Sequence, residues 1–338
     1  MASEITKGDT IPDRSRLFCP MEQIMTKVCF NLVDYRNNYF TNDDPNKIIE
    51  FYSGFYDRDQ LIQWMSERPK GVANIHEIEG DKEIIVVIPT ADFNGKYARE
   101  CRDNIFKGLH IVYVESGGRG DFYFNYAHNC NVGIRKAMEY NPKWIVISND
   151  DMYKIDDVDK LKTNLLNLNE REIDVVFTEK SRYHSIPYMF GRKSLLYGIA
   201  SMILSVFKGE IKWYFKIQKE LKRFNVDLLF IKRLLINKFW IKYKSYFILT
   251  SDFTILSRNF YSDSYGIIFN ETYINDSEDV ELSLKLAHKK IRSVIINYNI
   301  GDYAGSSIGV NRQRYIRTIC TRAYLTKRVE DCLLFGEE

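Results

Sequence analysis

Residues 84–88 read Ile-Ile-Val-Val-Ile, an unbroken β-branched run that stops at Pro89. A strand with one wet face alternates apolar and polar side chains, so a run without alternation predicts a strand buried on both faces. Such a strand needs a covering layer on each side, and the sequence beyond it supplies the elements. A polar helix is predicted over 97–107, a second strand over 111–114, a helix over 131–139, a third strand over 144–148, a helix near 158–168 and a fourth strand over 174–177. Strands alternating with helices through short links predict an α/β fold with a mostly parallel sheet flanked by helices. The chain has 338 residues, 45% of them apolar, with 23 Tyr and 21 Phe. That composition supplies a large core and excludes disorder and fibrous repeats.

The texture changes four times, which divides the chain into five segments. Residues 1–80 form an N-terminal extension whose clearest piece is a helix capped by Asp57 and stopped near Pro69-Lys70-Gly71. Residues 81–179 carry the strand–helix alternation. Residues 180–246 are a basic, aromatic insertion of helical texture, with Leu221, Phe224, Leu228, Ile231 and Leu235 spaced three and four apart. Residues 247–310 resume the α/β pattern, with a strand at 247–256, a helix at 280–289 and a strand at 293–298. Residues 311–338 predict a basic amphipathic C-terminal helix.

The formal charge of +3 hides an asymmetry, because 180–246 holds 15 Lys/Arg against three Asp/Glu. The rest of the chain is therefore acidic, and a global case for nucleic-acid binding fails. The insertion fits an anionic membrane surface, a helical lid or a dimer contact. Its longest uncharged run, residues 194–207, is too short to span a bilayer. The six cysteines form no CxxC pair, and the N-terminus is polar, so the expected setting is a reducing, cytoplasmic one, free or peripheral at a membrane.

Acidic residues stand at the predicted strand ends, where open α/β sheets bind ligands. Glu115 closes the second strand, Asp150-Asp151 close the third, and Glu278-Asp279 open the helix near 280. Adjacent carboxylates after a buried strand suit a hard divalent cation such as Mg²⁺ or Mn²⁺. The same residues also serve simply as helix caps and dipole partners.

Taken in order, these pieces resemble the family 2 glycosyltransferases of the GT-A fold, over residues 84–178 and 247–307. Residues 84–90 (IIVVIPT) look like that family's opening strand, whose end contacts the nucleotide. Glu115-Ser116-Gly117 stands where the family has an Asp that reads the base. Asn129-Cys130-Asn131-Val132-Gly133-Ile134 matches its Asn-x-Gly-Ile helix start. Asn149-Asp150-Asp151 is similar to its DxD element, and residues 269–283, with Glu278-Asp279, look like its block carrying the catalytic base. Asp302 stands where the family often places a metal-binding His.

The resemblance implies an inverting, metal-dependent transfer of a sugar from a nucleotide-diphosphate donor, such as a UDP- or GDP-sugar, to a glycan or lipid-linked acceptor. Mn²⁺ or Mg²⁺ would be held by Asp151 and Asp302. Thr90, Ala91, Glu115, Arg119, Asn131, Asn149 and Asp150 would line the nucleotide-sugar site. Asp252 would face the acceptor, and Asp279, with Glu278 second, would act as general base. Two alternatives remain: a catalytically degenerate membrane-associated scaffold, and a sugar nucleotidyltransferase. The second needs a Gly-rich basic loop after the first strand, and residues 90–95 (TADFNG) have one Gly and no basic residue.

Overall fold

A computed structural model describes residues 44–116, 121, 123–178, 183–185, 211–226, 247–249, 252–263, 267–274, 276–289, 291–303 and 314–333. Helices α1 (Pro45–Ser53) and α2 (Arg58–Glu67) come first, then strands β1 (Asn74–Ile78) and β2 (Asp81–Thr90). Helix α3 (Lys96–Glu100) runs into a π turn at Cys101–Ile105, followed by β3 (Leu109–Glu115), α4 (Tyr126–Met138), β4 (Trp144–Ser148), β5 (Met152–Lys154), α5 (Val158–Leu166), β6 (Val175–Phe177) and β7 (Tyr183–Ser185). The later elements are α6 (Ile211–Arg223), β8 (Phe247–Leu249), β9 (Phe253–Ser257), α7 (Arg258–Asp263), α8 (Glu278–Lys289), β10 (Ser293–Ile295), β11 (Ile300–Asp302), α9 (Arg314–Arg317) and α10 (Ile319–Arg328).

Seven strands form one sheet in the order β1-β3-β2-β4-β9-β6-β10. Five run in one direction, while β1 and β9 run against them. The α/β class and the mostly parallel sheet are as the pattern predicts. The β-branched run shows why. Ile85 and Val87 face one core layer, with α1, α2, α4 and α10, whereas Ile84, Val86 and Ile88 face the other, with α3 and α5. Pro89 does not end the strand as expected. The pairing of β2 with β4 stops at Val87, so Pro89 lies where β3 is the sole neighbour and its missing N–H costs no β4 ladder bond.

Residues 44–78 are built into this unit. Asp57 caps α2 as expected, accepting from the Gln60 amide, and β1 adds an antiparallel edge to β3. The Tyr52 hydroxyl donates to the Arg317 carbonyl at 2.9 Å, and Arg58 pairs with Glu330 at 2.8 Å, so both ends of the described chain pack together. The C-terminal piece is two helices rather than one: it breaks at Thr318, where Ile316 through Thr321 are all buried, and along α10 Arg322, Lys327 and Arg328 take partly exposed positions.

Of the insertion, residues 183–185 and 211–226 are described, and 211–223 are helical as its texture suggests. β7 and β8 pair antiparallel, so residues 183–185 and 247–249 come together. Helix α6 stops at Arg223 because Asn225 turns left-handed, at φ 56°. The Asn225 amide then donates to Lys222 O at 3.1 Å and the Val226 amide to Leu221 O at 2.7 Å, a Schellman closure. Leu221 and Phe224 are buried, and the Phe224 ring packs edge-on to Tyr52 of α1. Leu228, Ile231 and Leu235 lie outside the described residues. Among those residues no helix is long and apolar enough to cross a membrane.

Candidate active site

From β2 the chain moves to β3 on one side, then crosses to β4 on the other. The strand order therefore reverses between β2 and β4, and the carboxyl ends at such a reversal are the place where α/β sheets take ligands. Asn149-Asp150-Asp151 follows β4 at this end. The Thr90 hydroxyl, at the end of β2, donates to Asp150 Oδ2 at 2.6 Å. Asp150 and Asp151 are both buried. Burial lifts the Asp150 carboxyl to about 6, with Asp151 pushing the same way and Thr90 opposing. The π turn after α3 swings Cys101 beneath this pair, where its Sγ donates to the Asp150 carbonyl at 3.3 Å.

Asn149 faces the other core layer. Its side-chain oxygen accepts from the Tyr126 hydroxyl at 2.9 Å, and its amide donates to the Asp252 carbonyl at 2.9 Å. Burial pushes the Tyr126 phenol well up, and Cys130, Glu278 and Asp252 act in the same direction. Glu278 and Asp279 open α8. Ser277 precedes them at φ 74° with its carbonyl accepting the Glu281 amide, a left-handed conformation that costs a non-glycine residue roughly 1–2 kcal/mol. Glu278 is buried and Asp279 half-buried, its Oδ1 accepting the Val280 amide at 2.8 Å. Asn149, Asp150, Asp151 and Asp252 thus gather at one end of the sheet, while Glu278 and Asp279 stand in the first turn of α8.

Other expected site residues lie elsewhere or are differently engaged. Helix α4 starts five residues before the expected 131, because Asn125 caps it by accepting the His128 amide. Asn131 therefore stands inside the helix. Its side chain donates to Phe269 O and Glu271 Oε1 and accepts the Phe269 amide, binding residues 268–271 to α4 rather than meeting a nucleotide. Glu115 accepts the Phe93 amide at 2.9 Å and meets His76 Nε2 at 2.9 Å. The Phe93 amide holds its carboxyl below the usual value, helped by His76 against burial. Glu115 thus braces the loop after β2. Ala91 is exposed in that loop, and Arg119 lies outside the described residues.

Asp302 is opposite Met152 in the β5–β11 pair, and the Tyr303 amide donates to the Asp151 carbonyl at 2.9 Å. Directly paired residues share a face, so strand alternation sends Asp302 to the Met152 side and Asp151 to the Tyr303 side. Consistent with this, among the described residues no group of three or more His, Cys, Asp or Glu side chains is placed to hold one metal ion.

Sequence reasoning missed Tyr126, which ties the acidic turn to α4. The available signal was Asn125, an N-cap residue immediately before it. It also left His128 without a role. The ring meets Glu271 Oε2 at 2.9 Å, and Lys70 donates to the Glu271 carbonyl at 2.7 Å.

Comparison with protein-family models, curated proteins and solved structures finds no match.

Proposed function

We propose that this protein is a glycosyltransferase that moves a sugar from a nucleotide-diphosphate donor to an acceptor hydroxyl, with inversion, at the carboxyl ends of β2 and β4. The observation that carries this reading is the Asn149-Asp150-Asp151 turn at the strand-order reversal, bonded through Asn149 to Tyr126 and to the Asp252 carbonyl. The α/β architecture is compatible with the GT-A fold that the motifs suggest.

Asp150 and Asp151 offer only carboxylate oxygens, which fit Mg²⁺ or Mn²⁺ completed by water and the donor's phosphates. A cation there would supply neutralisation of the charge developing on the diphosphate. The chain's own residues supply the remaining functions. Thr90 fixes Asp150 toward the nucleotide, and Asp279 takes the acceptor proton as attack begins, a contribution of roughly 10²–10⁴-fold. The Val280 amide holds the Asp279 Oδ1, and this residue stands in the first turn of α8. Asp252 lies beside the acidic turn on the acceptor side.

The test is a thermal shift with a panel of nucleoside diphosphates, with and without Mn²⁺. Ligand at 100 times its Kd stabilises by about 2.7 kcal/mol. The reading expects one diphosphate to stabilise only with metal, and Asp151→Ala to remove the shift. The engagement of Glu115 and Asn131 by the protein itself favours one competing reading, a catalytically degenerate binding protein, and a metal-independent shift would support it.

A further inference from the structure

Next to the acidic turn, three tyrosines from three elements come together. Tyr97 is in the first turn of α3, Tyr153 is central in β5, and Tyr303 comes directly after β11. The Tyr303 ring centroid is 5.1 Å from that of Tyr153 and 5.9 Å from that of Tyr97, with interplanar angles of 50° and 42°. Tyr153 and Tyr303 are 38% and 53% exposed, among the most exposed large apolar side chains of the described chain. Exposed aromatics clustered beside an acidic turn are uncommon unless something covers them.

The cluster is keyed to the carboxylates. Gly301 opposes Tyr153, and a Cβ there would come within 2.0–2.5 Å of the Tyr153 ring, so the ring lies directly on the bare backbone. With the Tyr303 amide bound to the Asp151 carbonyl, alternation puts Asp151, Tyr153, Gly301 and Tyr303 on one face of the two-stranded sheet. Tyr97 stands one helical turn before Cys101, whose Sγ holds the Asp150 carbonyl. Tyr153 and Tyr303 therefore share a face with Asp151, and Tyr97 joins them through its contact with Tyr303.

We propose that Tyr97, Tyr153 and Tyr303 form a cup that holds a pyranose ring against Asp151. The rings are tilted at 42° and 50° rather than parallel, so they offer no slot between parallel faces for a planar base and can instead meet the puckered C–H face of a chair from more than one direction. The inference rests on the transferase reading for its choice of sugar, which is either the donor's or the acceptor's.

The experiment is saturation-transfer NMR on the full chain with methyl pyranosides of glucose, galactose, N-acetylglucosamine and rhamnose. At least one should receive saturation on its ring protons. Tyr303→Ala should weaken it about tenfold, and Tyr303→Phe, which keeps the ring and loses only the hydroxyl, should weaken it less. Tyr97→Ala gives a second variant should the first misfold, as read by a thermal melt. No transfer to any pyranoside, or equal transfer in both alanine variants, overturns the cup. If Tyr303→Ala also erases the affinity difference between a nucleotide sugar and its diphosphate, the donor sugar occupies the cup; if that difference is untouched, the acceptor does. Saturation transfer together with a flat diphosphate panel would sink the transferase reading and leave the cup standing. A positive panel without transfer sinks the cup alone.

Discussion

Thr90 Oγ1 lies 2.6 Å from Asp150 Oδ2, joining the ends of two parallel strands at the point where the strand order reverses. Both residues are buried, so the hydroxyl stands in for the water that an exposed carboxylate would have. Thr90→Val keeps the shape and removes the donor. It should lower stability by about 1–3 kcal/mol, the range for a hydrogen bond to a charged group, and Thr90→Ser should restore most of it. Urea unfolding measures both, and equal midpoints for wild type and Thr90→Val would contradict the assignment.

Helix α4 is held to the sheet through Gly133. A Cβ at this position would lie 2.4 Å from Val87 Cγ1 and 2.9 Å from Val114 Cγ2. Gly133→Ala should therefore cost about 1–3 kcal/mol by overpacking, despite alanine's better helix propensity. Because the same helix carries Tyr126 to Asn149, the variant should also weaken diphosphate stabilisation. A neutral or stabilising Gly133→Ala would show that the helix sits further from the sheet.

The Glu281 carboxylate predicts a pH dependence. Burial acts to raise it, but Lys285, Tyr273 and Arg328 outweigh burial and hold it below the usual glutamate value. A group depressed in the folded state stabilises fully above its unfolded value, about 4.3, and the gain is lost as pH falls through the folded value. The stability difference between wild type and Glu281→Gln should hold steady from about pH 7 to 5 and shrink towards about pH 3. A difference that stays constant across that range would contradict the ion-pair account.

Asn225 closes α6 at φ 56°, where a side chain with an ordinary Cβ is strained. Asn225→Ala should destabilise by about 1 kcal/mol, whereas Asn225→Gly should be neutral or better. Circular dichroism during thermal unfolding separates the two, and identical melting of Ala and Gly variants would count against the left-handed closure.

Periodicity is what made parts of this fold legible in the sequence. The run Ile84–Ile88 and the strand at Trp144–Ser148 announce themselves because burial on both faces leaves no polar residue to blur them. The acidic turn was legible for the same reason, since a strand so clearly bounded fixes the position of the turn beyond it. Asn131 was misplaced because its motif suggested a helix start, while the true cap, Asn125, lies in a polar stretch without apolar period. In the insertion, Leu221 and Phe224 show the helical spacing, but the left-handed Asn225 that closes their helix leaves no mark on that spacing. Asp302 lay at the expected place along the chain, but which face it takes is set by a two-stranded register that spacing does not reveal. The engagement of Glu115 by His76 depends on the added edge strand β1, a tertiary pairing.

The most direct test of the account is metal-dependent release of nucleoside diphosphate from a panel of nucleotide sugars. We predict release from one donor in Mn²⁺ that stops with chelator and in Asp151→Ala, while Asp279→Asn slows transfer by about 10²–10⁴-fold yet keeps diphosphate binding. Release that continues undiminished in chelator, or in Asp151→Ala, would contradict the central claim that the acidic turn is where the donor reacts.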